Sequence, residues 1–553
     1  MIKSILFVLL ATQATFAQNI VQNAAQNWKI KKTAWTDADE KSFSEFVALI
    51  GQAVEKRECN SLQSCLAHPH NPYRGSDTTP IKVHADCAKL AYVMRGYFAW
   101  KNNLPFSFSS EVELRNVSGN NRDLRYSRFG NTITERKNAL PVKTGSTYQL
   151  QNAIPVLTKT VPSEVYSAHY RTLYSEDDLS ETLFSDFYSA NIDKASLKPG
   201  TIIYDPNGHV AIVYKITTAG QIYFIDAHPD NSLTSGLYGT KFIRSNPTHG
   251  AGFKNFRSYK LVDSTFDQKL DSYVGGRIIP QKNSEIKNFS SMQYFGTDLT
   301  SRPDWQNGPF TYNGQNYPYY EYVRIAMSTG TYKINPMTEM KSLAADLCQS
   351  VQDRVDSVNA AVTSKIHLKS HIERLPVNIY GTSGEWEEFS TPSRDARLKT
   401  SFKELKDTAE NILQKHATGN PQIDYTGQNI KADMLNAYLQ TAQACQITYT
   451  NSQSVSVKLN LEQARQRLFE MSFSPYHCPE LRWGANVASE LATCKDDATK
   501  LKWHQALKWL RFQIDRRYDV KMDYSLAELS NGPLPNVGVA QPPDIDIIKT
   551  LSQ

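Results

Sequence analysis

The stretch that decides the fold of the first half of the chain is His84–Tyr92, which reads HADCAKLAY. From Cys87 onward, apolar residues recur at helical spacing, which predicts a helix to about residue 101. Asp86 is a typical N-cap for this helix, because its carboxylate can accept hydrogen bonds from amides of the first turn. Pro105 predicts that the helix ends before it. The stretch therefore places a cysteine at the start of a helix.

A cysteine in this position has a lowered thiol pKa, because the helix dipole and the unpaired first amides stabilise an anion. The thiolate is the attacking species in acyl transfer, and it needs a base and an electrophile. On residue type alone, a buried structural cysteine is the more common case. Cys87 is nevertheless the best candidate for a catalytic nucleophile, since two further residues fit the same chemistry.

These two residues are His209 and Asp226, on strands that follow Leu197. His209 opens a strand after the turn Asp-Pro-Asn-Gly, so its ring can stand at a sheet edge. Because side chains alternate along a strand, Asp226, His228 and Asp230 are expected on the same face as His209. Asp226 could orient the imidazole, and His228 competes with it for that role. A cysteine, a histidine and an aspartate in this order suit a nucleophile, a base and an orienting group.

The strands themselves form a predicted antiparallel meander. A glycine-rich loop at 250–257 is expected to lead into a last strand. The predicted strands are 201–204, 210–216, 222–225 and 259–262.

Three segments carry a resemblance to a known family: His84–Tyr92, Leu197–Gly200 and Gly208–Val213. Together they resemble the exported NlpC-type cysteine peptidases of bacterial cell walls, which have a papain-like fold. The run IDAHP, which contains Asp226, is also similar to the Cys-His-Asp order of transglutaminase-like proteins. The segment between Cys87 and the histidine block is longer than in compact cell-wall peptidases, and neither family accounts for the large C-terminal region.

The resemblance implies that Cys87 attacks an amide carbonyl, that His209 transfers the proton and that Asp226 holds the imidazole. The amide of Cys87 would donate to the oxyanion. The implied fold is α+β, with a helix that bears the cysteine packed on an antiparallel sheet. A large, mainly α-helical C-terminal domain is expected to follow.

The predicted domain limits follow from changes in composition. Residues 1–17 read as a signal peptide, with Lys3, a short apolar run and a small-x-small site before Gln18. The other predicted segments are a catalytic domain at 18–275 with an insertion at about 107–190, a helical accessory domain at 276–535 and a loose tail at 536–553.

The seven cysteines of an exported chain suggest disulfides and one thiol left over. The expected pairs are Cys59–Cys65, Cys478–Cys494 and Cys348–Cys445, which leaves Cys87 as a thiol. Pairing of Cys87 with Cys59 or Cys65 stays open at this point.

Several other classes of site are disfavoured. The net charge of +6 is dispersed, so nucleic acid is not an expected partner. No stretch reaches the length of a membrane span. His68 and His70 lie near Cys65, but no fourth ligand stands at zinc-finger spacing, so neither a metal nor a cofactor is expected.

These observations predict a secreted or periplasmic cysteine amidase or peptidase that acts through a thioester, with peptide or peptidoglycan as substrate. Two alternatives stay open: a transglutaminase-like transamidase, and a binding or scaffold protein that keeps a papain-like core without catalysis. The oligomeric state is not indicated by the sequence.

Overall fold

A computed structural model describes a series of residue ranges between 26 and 553, separated by short gaps. The predicted signal peptide at 1–17 lies outside them. Within these ranges the protein is α+β, and no helix is both long enough and apolar enough to cross a membrane. The described residues are 26–116, 123–175, 180, 183–244, 246–300, 305, 308–381, 383–516, 518, 520–533 and 537–553.

The chain forms two compact units. The first comprises Met1–Lys215, Ile225–Leu233 and Arg244–Pro309, and the second comprises Ile216–Phe224, Thr234–Ile243 and Phe310–Gln553. The domain limits inferred from composition stay predictions.

The helices up to residue 309 include the predicted cysteine-bearing helix, which is found at the expected residues. They are α1 (Asp37–Glu55), α2 (Leu62–Ala67), α3 (Cys87–Lys101), α4 (Ala153–Pro155), α5 (Val161–Glu164) and α6 (Met292–Phe295).

The strands over the same part of the chain include those of the predicted meander. They are β1 (Ser107–Leu114), β2 (Asn131–Asn138), β3 (Val142–Thr144), β4 (Thr147–Gln149), β5 (Phe187–Ser189), β6 (Ile202–Asp205), β7 (His209–Ile216), β8 (Ile222–Ala227), β9 (Leu233–Leu237), β10 (Gly252–Phe256), β11 (Tyr259–Val262), β12 (Thr265–Asp267), β13 (Ser272–Val274) and β14 (Arg277–Pro280).

Six of these strands form the main sheet, in the order β5-β10-β6-β7-β8-β9. The strands β6 and β7 are antiparallel, and the turn between them pairs Asp205 with His209. The expected glycine-rich loop at 250–257 is wrong, because β10 lies in this sheet between β5 and β6. Gly250 and Gly252 made the segment resemble a loop. Its polar side chains, Lys254 and Asn255, are buried, and both donate hydrogen bonds to backbone carbonyls.

The helix α1 packs closely on the sheet. Thr36 and Asp39 form a capping box at its start, so two amides at that end have side-chain acceptors. At Gly51 a Cβ would lie 2.2 Å from the Cβ of Tyr214 in β7, so a glycine is required for the helix backbone to approach the strand. The helix α3 is also buried over most of its length, including Tyr92 and Trp100.

The second unit is mainly helical beyond residue 318. Its long helices bury apolar residues against one another, among them Val351, Phe402 and Tyr438. The helices are α7 (Tyr319–Met327), α8 (Pro336–Thr363), α9 (Glu385–Phe389), α10 (Pro392–Ala417), α11 (Ile430–Ala444), α12 (Leu461–Arg467), α13 (Pro479–Arg482), α14 (Ala488–Leu491), α15 (Ala498–Ala506), α16 (Lys508–Arg511), α17 (Leu526–Ser530) and α18 (Ile547–Ser552), and the strands are β15 (Phe310–Tyr312), β16 (Gln315–Tyr317), β17 (Ile447–Thr450) and β18 (Ser456–Leu459).

Candidate active site

Cys87 is the first residue of α3, as the sequence predicts. The Asp86 carboxylate caps the helix and accepts hydrogen bonds from the backbone amides of Ala88, at 3.1 Å, and Lys89, at 3.2 Å. All seven cysteines lie among the described residues, and Cys87 is the one outside the disulfides. The predicted pairings are confirmed: Cys59–Cys65, Cys348–Cys445 and Cys478–Cys494.

The thiol of Cys87 lies beside the turn between β6 and β7. Its Sγ is 4.0 Å from the carbonyl oxygen of Gly208, the residue that precedes His209. Gly208 has φ +81°, a left-handed conformation that favours glycine. A Cβ at this position would lie 3.4 Å from the ring of Tyr126 and 3.5 Å from Oγ of Ser167. Two residues of the predicted insertion therefore lie next to the turn that precedes His209.

His209 and Asp226 form a buried pair. Nε2 of His209 is 2.6 Å from Oδ2 of Asp226, and the two residues are 8% and 3% exposed. Because a carboxylate only accepts hydrogen bonds, Nε2 carries the proton of this bond. Nδ1 is then the ring nitrogen that can exchange a proton with a nucleophile. The structure thus places the imidazole and the carboxylate in hydrogen-bond contact.

His228 lies on the other side of the same carboxylate. Its Nε2 is 3.5 Å from Oδ1 of Asp226, and its ring centroid is 6.0 Å from that of His209. Burial raises the pKa of the Asp226 carboxyl, but His228 and His209 outweigh this and hold that pKa well below its usual value. Asp226 is therefore ionised at neutral pH, which suits a group that stabilises a positive charge on an imidazole.

The turn after Asp226 is tied to the segment before Cys87. Nε2 of His84 lies 3.0 Å from the carbonyl oxygen of Pro229, and the amide of Ala85 donates to the side chain of Asn231 at 3.1 Å. Asn231 has φ +65°, which asparagine tolerates better than most residues. These bonds fasten the aspartate-bearing strand to the helix start. The sequence shows a polar turn here, but the partner of Asn231 is 146 residues away.

Tyr170 is a further site residue that sequence reasoning missed. It comes from the predicted insertion, and its hydroxyl donates to the carbonyl oxygen of Ala88 at 2.6 Å. Burial raises the pKa of Tyr170 well above its usual value, and the charge of Cys87 raises it further. Tyr170 therefore stays protonated and anchors the first turn of α3. Its type and spacing in the sequence carry no signal for this role, since the chain has 29 tyrosines.

The chemistry open to this arrangement is acyl transfer by a thiolate. The start of α3 can stabilise an anion on Sγ of Cys87. The imidazole of His209 is next in the chain to the Gly208 carbonyl beside Sγ, and the Asp226 carboxylate holds this imidazole by a hydrogen bond. The first amides of a helix have no acceptor within the helix, so the amide of Cys87 can donate to an oxyanion.

Comparisons of the chain with protein-family models, curated proteins and solved structures find no match.

Proposed function

We propose that the protein is an exported, papain-like cysteine amidase or peptidase that acts on peptidoglycan peptides through a thioester. The observation that carries the proposal is the buried His209–Asp226 pair. The hydrogen bond between the two side chains is 2.6 Å long. His209 directly follows Gly208, whose carbonyl oxygen lies 4.0 Å from Sγ of Cys87. The three disulfides are compatible with an extracellular protein.

In this proposal the reaction has two steps. Sγ of Cys87 attacks the amide carbonyl carbon, and its proton passes to Nδ1 of His209. The C–N bond then breaks as His209 protonates the leaving amine, which leaves an acyl group on the sulfur. A water molecule gives a proton to His209 and attacks the thioester, so that a carboxylic acid and the thiol are released. Asp226 stabilises the imidazolium in both steps.

The substrate class rests on sequence features. The N-terminal stretch resembles a signal peptide, and the net charge of +6 favours an anionic polymer such as the bacterial cell wall. The resemblance of three segments to cell-wall peptidases points in the same direction. Peptidoglycan peptides are the amide substrate that fits all three features.

The test is digestion of purified peptidoglycan by wild-type protein and Cys87→Ala, with products resolved by mass. We expect soluble peptide fragments from the wild type and none from the variant. Since alanine is well tolerated in helices, the thermal midpoint should change little. His416→Ala, an exposed histidine of the second unit, is the matched control and should digest normally. Equal product from Cys87→Ala would end the proposal.

Transamidation passes through the same thioester, and the Cys-His-Asp order is compatible with it. Digestion in ¹⁸O-labelled water with an added primary amine separates the two reactions. A product that gains ¹⁸O supports hydrolysis, and a product that gains the amine supports a transamidase. If intact protein yields neither product and the Cys87 thiol does not alkylate, the scaffold alternative replaces the enzyme.

A further inference from the structure

A second group of chemically active side chains flanks the Cys59–Cys65 disulfide, with one member just before Cys59 and two shortly after Cys65. It consists of Glu58, His68 and His70. One ligand atom from each of the three lies within 4.8 Å of the others. The side chains are 36%, 19% and 27% exposed, so an ion from solvent can reach them.

The two separations between the Glu58 carboxylate and the histidine nitrogens are close to those around a small, four-coordinate ion. Oε2 of Glu58 is 3.4 Å from Nδ1 of His70 and 3.9 Å from Nε2 of His68. The other ring nitrogen of His68, Nδ1, is 3.0 Å from Nδ1 of His70, so the two imidazoles are in direct contact. Ligands of tetrahedral zinc at bond lengths of about 2.0–2.2 Å are separated by roughly 3.4 Å. Small rotations of the imidazoles would therefore bring one nitrogen from each ring and the carboxylate onto one ion.

The backbone that carries these ligands is already fixed. Glu58 directly precedes Cys59, and the amide of His68 donates to the carbonyl oxygen of Cys65, so the disulfide holds both sides of the group together. Beyond His70, the buried side chain of Asn71 donates to the carbonyl oxygen of Leu66 at 2.6 Å. Ligand binding thus needs little ordering of the chain.

We propose that Glu58, His68 and His70 bind one divalent transition-metal ion, with Zn²⁺ as the best fit and water in the remaining position. Two imidazoles and one carboxylate suit zinc, copper or nickel, whereas calcium and magnesium prefer oxygen ligands. The donor set differs from a zinc-finger pattern, which is why the spacing of the histidines alone did not indicate it. The third ligand lies ten residues before His68 and is brought to it by the disulfide.

The ion would hold together the segment 58–70, which supports the turn after Asp226. The carbonyl oxygen of Asn60, two residues after Glu58, accepts a hydrogen bond from the amide of Leu233 at 2.8 Å. Leu233 follows the turn that joins Asp226 to Asn231. The metal site is therefore a structural site of this loop, and it does not depend on the proposed catalysis.

The test is calorimetric titration of Zn²⁺ into metal-free Cys87→Ala protein, in which the catalytic thiol cannot bind the ion. We expect one equivalent to bind and the thermal midpoint to rise with zinc concentration. His70→Ala and Glu58→Gln, each in this background, should weaken binding by more than about 100-fold, because even outer partners of metal ligands contribute about 10–100-fold. His416→Ala is the matched control and should bind as its parent does.

A second variant separates this site from the catalytic histidines. In the same background, His209→Ala should keep the bound equivalent. Binding that survives His70→Ala and disappears in His209→Ala would assign the ion to the Asp226 carboxylate and overturn the proposal. No binding, or equal binding by all variants, would overturn it as well.

Discussion

Replacing Asp226 by asparagine tests the geometry of the candidate site most sensitively. The change keeps the size of the side chain and removes the negative charge that faces His209 at 2.6 Å. It leaves the helix, its cap and the cysteine in place. If the imidazolium of His209 stabilises the thiolate of Cys87, loss of the carboxylate must make the thiol less acidic.

The expected size follows from the contact. A buried hydrogen bond to a charged group contributes about 1.5–3 kcal/mol. At about 1.4 kcal/mol per pH unit, loss of this stabilisation of the imidazolium corresponds to a change of about 1–2 in the pKa of the thiol paired with it. We expect the pKa of the Cys87 thiol to lie well below about 8.5 in the wild type and to rise by that amount in Asp226→Asn.

The assay is the rate of iodoacetamide alkylation of Cys87 as a function of pH, read by peptide mass. It needs no substrate, and circular dichroism verifies that each variant is folded. Asp346→Asn is the matched control. Asp346 belongs to the second unit, its side chain is 7% exposed and pairs with Lys241 at 2.9 Å, and its replacement should leave the profile unchanged. An Asp226→Asn profile that coincides with the wild-type profile would refute the catalytic role of the pair.

Three further predictions concern the frame around the site. Gly208→Ala should lower the free energy of unfolding by about 1–2 kcal/mol in urea titrations, because the left-handed backbone disfavours a Cβ. The same change should slow alkylation of Cys87, and an unchanged alkylation rate would contradict the fixed position of the Gly208 carbonyl. Loss of the Cys348–Cys445 disulfide, whose cysteines are 97 residues apart, should lower the free energy of unfolding by about 4–5 kcal/mol. Loss of Cys59–Cys65, 6 residues apart, should lower it by about 2 kcal/mol, because a shorter loop restricts the unfolded chain less. Calorimetric midpoints in the opposite order would contradict this dependence on loop length. The second unit should lose stability as pH falls below about 6.5, because burial lowers the pKa of His371 to about 4 and that of His504 to about 3, so the unfolded chain binds more protons. Between about pH 7 and pH 5 these two histidines should cost about 4 kcal/mol, and a pH-independent urea midpoint for this unit would contradict the prediction.

The sequence was sufficient where local signals and hydrophobic periodicity agree. Asp86 caps α3 as expected, and the strands after Leu197 occur within a few residues of their predicted bounds. The disulfide pairs follow from proximity in the sequence and from the number of cysteines. The α+β class is confirmed, whereas the papain-like core stays a proposal.

What the sequence could not supply are contacts between distant residues of ordinary type. The β10 strand was missed because the glycines at 250 and 252 are typical of a loop, and the strand that pairs with Gly252, through Tyr204, is distant in the sequence. Tyr170 and Asn231 support the site through single hydrogen bonds to backbone groups of the cysteine segment. Glu58 lies close to His68 and His70, ten or more residues later, where the Cys59–Cys65 disulfide and nearby backbone hydrogen bonds hold the segment.

The central claim is that Cys87 carries an acyl group during turnover. The most direct measurement is acid quenching of wild-type protein during digestion of peptidoglycan peptides, followed by mass analysis of the peptide that contains Cys87. We predict a mass increase on Cys87 equal to the acyl part of the substrate, absent in Cys87→Ala. Turnover with an unmodified Cys87, or with the acyl group on another residue, would contradict the account.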